Sequence, residues 1–231
     1  MNNYKYEEQS GRSMIEMLGV LAIIGVLSVG GIAGYSKAMN KFKTNKVADN
    51  VAMIVTNIRT LYAQQKDYSG LNNYTAVQMG VVPDELVSTL TGQNQTLINA
   101  FLGNVEIKEA NAKGLDATST GTAKAFTVKF SGLSKEACVT LATNDWGSGY
   151  SAGFIGMAVA GTIGGALDSG LDSNCTGGAA VNEVKDNTGK VTTVGKATTA
   201  CAGAAMTVVT AATACGCARA SNTCEILWKY Y

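Results

Sequence analysis

At 231 residues the chain is long enough for one domain of ordinary size plus a long appendage. Eighteen Lys and Arg against 17 Asp and Glu leave a formal charge of +1, which is no basic footprint for nucleic acid. Histidine is absent, and with it Ser–His or Cys–His nucleophiles and the commonest metal ligand.

Residues 1–11 are polar, carry Lys5, Glu7 and Glu8, and end on Gly11. Arg12-Ser13-Met14-Ile15-Glu16 follows, and then an apolar run from Met17 to Tyr35. About 20 apolar residues span a bilayer, and this run is close to that. Glu16 stands at its start, where an ionisable group costs up to roughly 2.5–3.5 kcal/mol towards the membrane centre and is a functional candidate for that reason. A secretory signal would place a small-residue cleavage site after the run, but Ser36-Lys37-Ala38-Met39-Asn40-Lys41 gives no A-x-A site. The residues before it also lack a basic n-region. A plain single-pass anchor is the alternative. Lys37, Lys41, Lys43 and Lys46 would then hold the C-terminal side in the cytoplasm, whereas the cysteines on that side argue for export.

From Lys37 the pattern turns amphipathic, with Val47, Val51, Ile54, Val55, Ile58, Leu61 and Tyr62 at helical spacing. No proline interrupts residues 12–66, so the spacing predicts one helix over about 13–65, roughly 80 Å long at 1.5 Å per residue. Its first half is apolar all round and belongs in lipid or a protein core; its second half has one stripe to pack on the rest of the chain. Gly19, Gly25, Gly30, Gly31 and Gly34 punctuate the first half, and Gly30 with Gly34 has small-xxx-small spacing. Membrane helices also tolerate glycine generally.

A mixed α/β region follows. Pro83-Asp84-Glu85 opens a short helix, proline suiting the first turn and the acids its positive end. Residues 105–108 and 125–130 read as strands, the second with Phe126, Val128 and Phe130 on one face. Ser134 caps a helix through Cys138 and Leu141. Residues 181–184 and 190–194 flank Asp186-Asn187-Thr188-Gly189 as a hairpin, residues 197–214 are ambiguous between helix and coil, and 225–231 read as a final strand. Residues 154–165 are too short and too broken by glycine to cross a membrane.

The cysteines are Cys138, Cys175, Cys201, Cys215, Cys217 and Cys224, an even set confined to the C-terminal part, which reads as disulfides. A zinc cluster is the alternative, but Cys215-Gly216-Cys217 lacks knuckle spacing. A direct Cys215–Cys217 bond would be a tight, strained ring. Asp168, Asp172 and Asn174 lie together in a Gly/Ser loop, as a Ca²⁺ site or, more simply, a solvated loop. No Walker, Rossmann or EF-hand pattern appears, so no cofactor and no enzyme activity are expected.

Gly11 followed by Arg12, Glu16 and the apolar run resembles the prepilin leader of type IV pilins and of type II secretion pseudopilins. The resemblance implies cleavage after Gly11 by a prepilin peptidase, which makes Arg12 the first mature residue and Glu16 the fifth. Loss of Lys5, Glu7 and Glu8 would move the formal charge from +1 to +2. The family usually begins with Phe or Met, and Arg12 departs from that, which leaves N-methylation of the new amine open. A second resemblance lies in Ala125-Phe126-Thr127-Val128-Lys129-Phe130-Ser131-Gly132-Leu133-Ser134-Lys135-Glu136-Ala137-Cys138, similar to the strand, turn and cysteine-bearing helix of type IVb pilins of the toxin-coregulated and conjugative thin-pilus kind.

The resemblance covers residues 1–68 well and 125–145 moderately. It implies an α+β pilin fold: a long N-terminal α-helical stalk packed on an antiparallel β-sheet head, with a disulfide-bonded C-terminal D-region. The implied divisions are a leader at 1–11, a helix at 12–66 (12–36 transmembrane or filament core, 37–66 amphipathic) and a head at 67–231 with the D-region at about 138–217. The implied D-region bond is Cys138–Cys217, with Cys215 nearly as well placed; Cys175–Cys201 and Cys215–Cys224 are the expected remaining pairs. The implied function is structural, a subunit of a type IVb-like pilus. Its partners are other subunits, the prepilin peptidase, the assembly machinery and, before assembly, the bacterial inner membrane; the product is an extracellular filament. The alternatives are a pseudopilin or minor pilin and, from another class, a membrane-tethered thiol oxidoreductase using Cys215 and Cys217.

Overall fold

The computed structural model describes residues 14–91, 94–110, 123–147, 153–160, 198–201, 206–217 and 224–231. The chain divides into two compact units, Met1–Phe42 and Lys43–Tyr231. Helix α1 runs Met14–Tyr62, as the proline-free pattern predicts, and its last turn closes where the Gln65 amide donates to the Tyr62 carbonyl at 2.8 Å.

In the first unit, α1 presents its apolar residues on every side. The apolar side chains Ile15, Leu18, Leu21, Ile23, Val26, Leu27, Val29 and Ile32 are all exposed. A Cβ built on Gly19, Gly25, Gly30, Gly31 or Gly34 would meet no atom within 4 Å.

In the second unit, the later turns of α1 bury one stripe, Thr44, Val47, Asn50, Val51, Ile54, Val55 and Ile58, against the sheet core. Fully burying a Val or Ile side chain contributes about 1.5–3 kcal/mol, so this stripe is a main tie between the helical segment and the sheet. Helix α2 (Asn73–Gln78) begins on a capping box, in which Asn72 Oδ1 accepts from the Thr75 amide and Thr75 Oγ1 accepts from the Asn72 amide. The expected helix after Pro83 is a single 3₁₀ turn, Asp84–Leu86, which β1 cuts short.

The strands are β1 (Val87–Thr91), β2 (Asn94–Ile98), β3 (Asn104–Ala110), β4 (Ala125–Leu133), β5 (Phe154–Ala160), β6 (Thr198–Cys201) and β7 (Cys224–Tyr230). They form one sheet in the order β1-β2-β3-β4-β7-β5-β6, every pair antiparallel. Helix α3 (Lys135–Thr143) lies between β4 and β5 in the chain, and α4 (Val208–Ala214) between β6 and β7. The C-terminal strand is thus inserted at the centre, between β4 and β5.

On the face towards α1, Phe126, Val128 and Phe130 of β4 and Ile226, Trp228 and Tyr230 of β7 join the core. Trp228 is fully buried between Phe130 and Trp146, both edge-on, with ring centroids at 5.9 and 4.9 Å. Leu227 and Lys229 alternate with these residues on β7 and are buried as well, so the central strands are covered on both faces.

Two glycines are required by geometry. Gly132 has φ +70° beside the irregularity in β4 that precedes α3. A Cβ on Gly103 would sit 1.8 Å from the Ser131 carbonyl oxygen, so only glycine lets the β2–β3 turn close on β4. Asn99 ties that turn down: its Oδ1 accepts from the Phe101 amide at 2.8 Å and its Nδ2 donates to the Ser131 carbonyl at 2.8 Å.

Candidate functional site

Two features stand out from the fold. The first is α1 within the first unit. An 18-residue window there has a mean hydropathy of 2.2 and none of it is buried in the chain. Apolar surface on this scale marks a membrane or protein contact, because monomeric soluble proteins rarely expose patches larger than a few hundred Å². Glu16 lies exposed in the first turn of α1, where the helix dipole favours a carboxylate. Gly11 and Arg12 lie outside the described residues.

The second feature is the group of cysteines at one end of the sheet. Ser134 Oγ accepts from the Ala137 amide at 3.2 Å, which starts α3 and turns Cys138 into the core. Thr207 Oγ1 caps α4 in the same way, accepting from the Thr210 amide at 3.2 Å, and α4 ends at Cys215. Helix α4 packs on α3, and Cys224 opens β7 opposite Leu133, the last residue of β4.

Cys138 bonds Cys215 with Cα atoms 5.9 Å apart, and Cys217 bonds Cys224 with Cα atoms 5.4 Å apart. Both separations suit a disulfide. The expected Cys138–Cys217 and Cys215–Cys224 pairs are therefore corrected. The cap of α4 sets Cys215, not Cys217, against α3, and the short return to β7 leaves Cys217 for Cys224. Cys175 lies outside the described residues and Cys201 is placed only by its backbone in β6, so the expected Cys175–Cys201 pair falls outside the description. The Asp168, Asp172 and Asn174 group and the 181–194 hairpin fall outside it too.

Sulfurs of Cys138, Cys215 and Cys224 lie within 4.8 Å of one another, but each belongs to a disulfide and offers no thiolate to zinc. Cys215 and Cys217 are not bonded to each other, so the exposed dithiol that an oxidoreductase would need is not formed by these two residues. Ion pairs are few among the described residues. Glu106 receives Lys108 and Lys129, the latter at 2.6 Å; burial alone would raise its pKa, but the hydrogen bonds from the two lysines outweigh this and lower it. A surface cleft of about 590 Å³ runs beside α1, lined by Asp49, Arg59, Asp145 and Trp146 among others. None of its residues forms a nucleophile–base pair.

An antiparallel sheet with the C-terminal strand inserted centrally, a cysteine-bridged C-terminal region and an unburied apolar N-terminal helix define a pilin. The chain belongs to the type IV pilin family, among the type IVb-like pilins. The family model described as PilS N terminal matches residues 41–213. The major structural subunit of bundle-forming pilus from Escherichia coli O127:H6 (strain E2348/69 / EPEC) is 30% identical over 196 residues, covering 82% of this chain and 95% of that protein. Its counterpart from Escherichia coli O111:H- is 30% identical over 146 residues, covering 63% and 69%. The crystal structure of a type IVb pilin from Salmonella typhi superposes with a TM-score of 0.49 at 17% identity, over 79% of this chain and 95% of that one.

Proposed function

We propose that this chain is a major structural subunit of a type IVb-like pilus and works by polymerising through α1, without enzymatic activity. The observation that carries this reading is the apolar helix of the first unit, none of whose most apolar window is buried by its own chain. The similarity to two major subunits of bundle-forming pili supports the same reading.

In this proposal residues 1–11 are a leader, 12–66 the assembly helix and 67–231 the head. A prepilin peptidase cuts after Gly11, the helix holds the precursor in the inner membrane, and the assembly machinery transfers it to an extracellular filament. A lone carboxylate or ammonium in an apolar surround is expensive, and the two together are far less so. Glu16 therefore pairs with the α-amino group of Arg12 in a neighbouring subunit, which fixes the axial stagger. The described cysteines lock the head for life outside the cell.

The test is to shear surface filaments from the source cells and measure the intact subunit mass with and without reduction. A chain beginning at Arg12 that gains hydrogens on reduction supports leader removal, export and disulfide formation together. An uncleaved chain confined to membranes with free thiols refutes the proposal.

A further inference from the structure

The β2–β3 turn, residues 99–103, carries an apolar side chain in a backbone conformation that few apolar residues adopt. Leu102 has φ +65° and is 84% exposed. The left-handed region is ordinarily left to Gly, Asn or Asp, because a Cβ crowds the following carbonyl there. The turn is tightly tied all the same. The Leu102 amide donates to the Asn99 carbonyl at 2.9 Å, the Asn99 amide to the Gly103 carbonyl at 2.9 Å, and the Gly103 amide to Asn99 Oδ1 at 3.2 Å. Leu102 is therefore held outward at a cost in backbone strain, while its side chain returns little burial to the folded chain. A local rule broken without gain inside the fold points to a contact outside it.

The surroundings of the turn indicate what that contact is. The Lys43 ammonium lies 5.8 Å from the centroid of the Phe101 ring, so the turn sits beside the first residue of the second unit. In the chain, Lys43 follows the end of the apolar run, Tyr35, by eight residues, with Lys37 and Lys41 between them. Tyr35 is exposed and has the kind of ring that gathers at membrane–water interfaces. Lysines just beyond a membrane span attract anionic lipid headgroups. An apolar side chain beside them enters the boundary between headgroups and acyl chains.

We propose that the β2–β3 turn is a membrane-contact point, at which Leu102 inserts into the surface of an anionic phospholipid bilayer while Lys43, with Lys37 and Lys41 before it in the chain, faces the lipid phosphates. The inference rests on the reading of α1 as the helix that holds the subunit in the membrane before assembly. Its addition is a second, shallow contact made by the head itself. A single span leaves a head free to tilt on the bilayer, and the strained turn removes that freedom. Passage into a filament then requires Leu102 to leave the lipid.

The full chain with methyl-labelled leucine, placed one per nanodisc of phosphatidylethanolamine and phosphatidylglycerol, tests this by nuclear magnetic resonance. Spectra are compared with and without a lipid that bears a nitroxide high on its acyl chain. The Leu102 methyl signals are identified by their absence from Leu102→Asn, whose side chain suits the left-handed turn; Leu102→Met serves if that variant fails to fold. Leu61 is the internal control, being exposed in the last turn of α1, 18 residues beyond Lys43 and about 27 Å along the helix at 1.5 Å per residue. Loss of the Leu102 signals to the nitroxide lipid, with the Leu61 signals retained, is expected. Exchange of phosphatidylglycerol for phosphatidylcholine is expected to restore part of the Leu102 signal, and no recovery overturns the role of the lysines. Leu102 signals that survive the nitroxide lipid overturn the inference, whether they vanish with a soluble gadolinium chelate, which places the turn in water, or persist in discs holding two chains, which gives it to a second copy. In either case the reading of α1 stands as long as the chain remains in the disc. A chain that does not enter the disc overturns that reading itself.

Discussion

The two described disulfides differ in what they contribute, and the difference follows from the chain between their ends. Cys138 and Cys215 are 77 residues apart, Cys217 and Cys224 only 7. In the chain-entropy model a closed loop of the first size stabilises by about 4.5 kcal/mol and one of the second by about 2.5 kcal/mol. The two loops follow one another along the chain without overlapping, so the contributions add. Replacing Cys138 and Cys215 together by alanine is expected to lower Tm by about 9–18 °C, and replacing Cys217 and Cys224 together by about 5–10 °C, at roughly 2–4 °C per kcal/mol. Alanine is chosen because a serine hydroxyl in a fully buried site would add the cost of an unpaired polar group. Thermal melts by circular dichroism on the full chain in detergent, with the remaining bonds intact, give both values. Equal losses, or the larger loss from the Cys217 and Cys224 pair, would refute the loop argument and the pairing on which it rests.

Four further outcomes are expected. Glu16→Ala leaves leader cleavage and export intact but abolishes filaments, as judged by electron microscopy of cells and the subunit mass in membranes; normal filament yield removes the pairing with Arg12. Gly103→Ala forces a Cβ into the Ser131 carbonyl and is expected to lower the unfolding midpoint, whereas an unchanged urea curve would mean the β2–β3 turn does not close on β4. Glu106 has its pKa lowered from 4.5 by its lysine partners, so its contribution is present above that value and is lost as pH falls through the lower folded value. Glu106→Gln should therefore flatten stability against pH on the acid side only. Burial raises the pKa of Tyr230 from 10.0, so its stabilising effect is complete below that value and declines as pH rises above it. Phenolate absorbance should show this tyrosine titrating only once the chain unfolds, and Tyr230→Phe should remove that part of the alkaline loss.

Much of the fold was legible in the sequence because the relevant signals are local. The long proline-free pattern marks α1 to within a turn at each end, and Ser134 marks the start of α3. Alternation marks β4, and β-forming residues mark β7. The elements missed lack a local signal of comparable strength. Strand β5, Phe-Ile-Gly-Met-Ala-Val-Ala, is apolar on both faces because it lies beside β7 inside the sheet, so it shows no alternation. Strands β1 and β2 are short and mostly polar. Helix α2 rests on the Asn72–Thr75 capping box, a signal that was present but is too short to stand out.

By itself, the sequence determined the two-part character of α1, the position of Glu16 at its head, the cysteine-rich C-terminal region and the family. These depend on residue type and spacing over a few turns of chain. Only the tertiary structure decided that β7 sits at the centre of the sheet and that Cys215, not Cys217, meets Cys138. Residues 215 and 217 are almost equally distant from 138 along the chain, so loop entropy does not separate them. The choice is made by the end of α4 packing on α3, a contact between segments about 70 residues apart for which no local pattern codes.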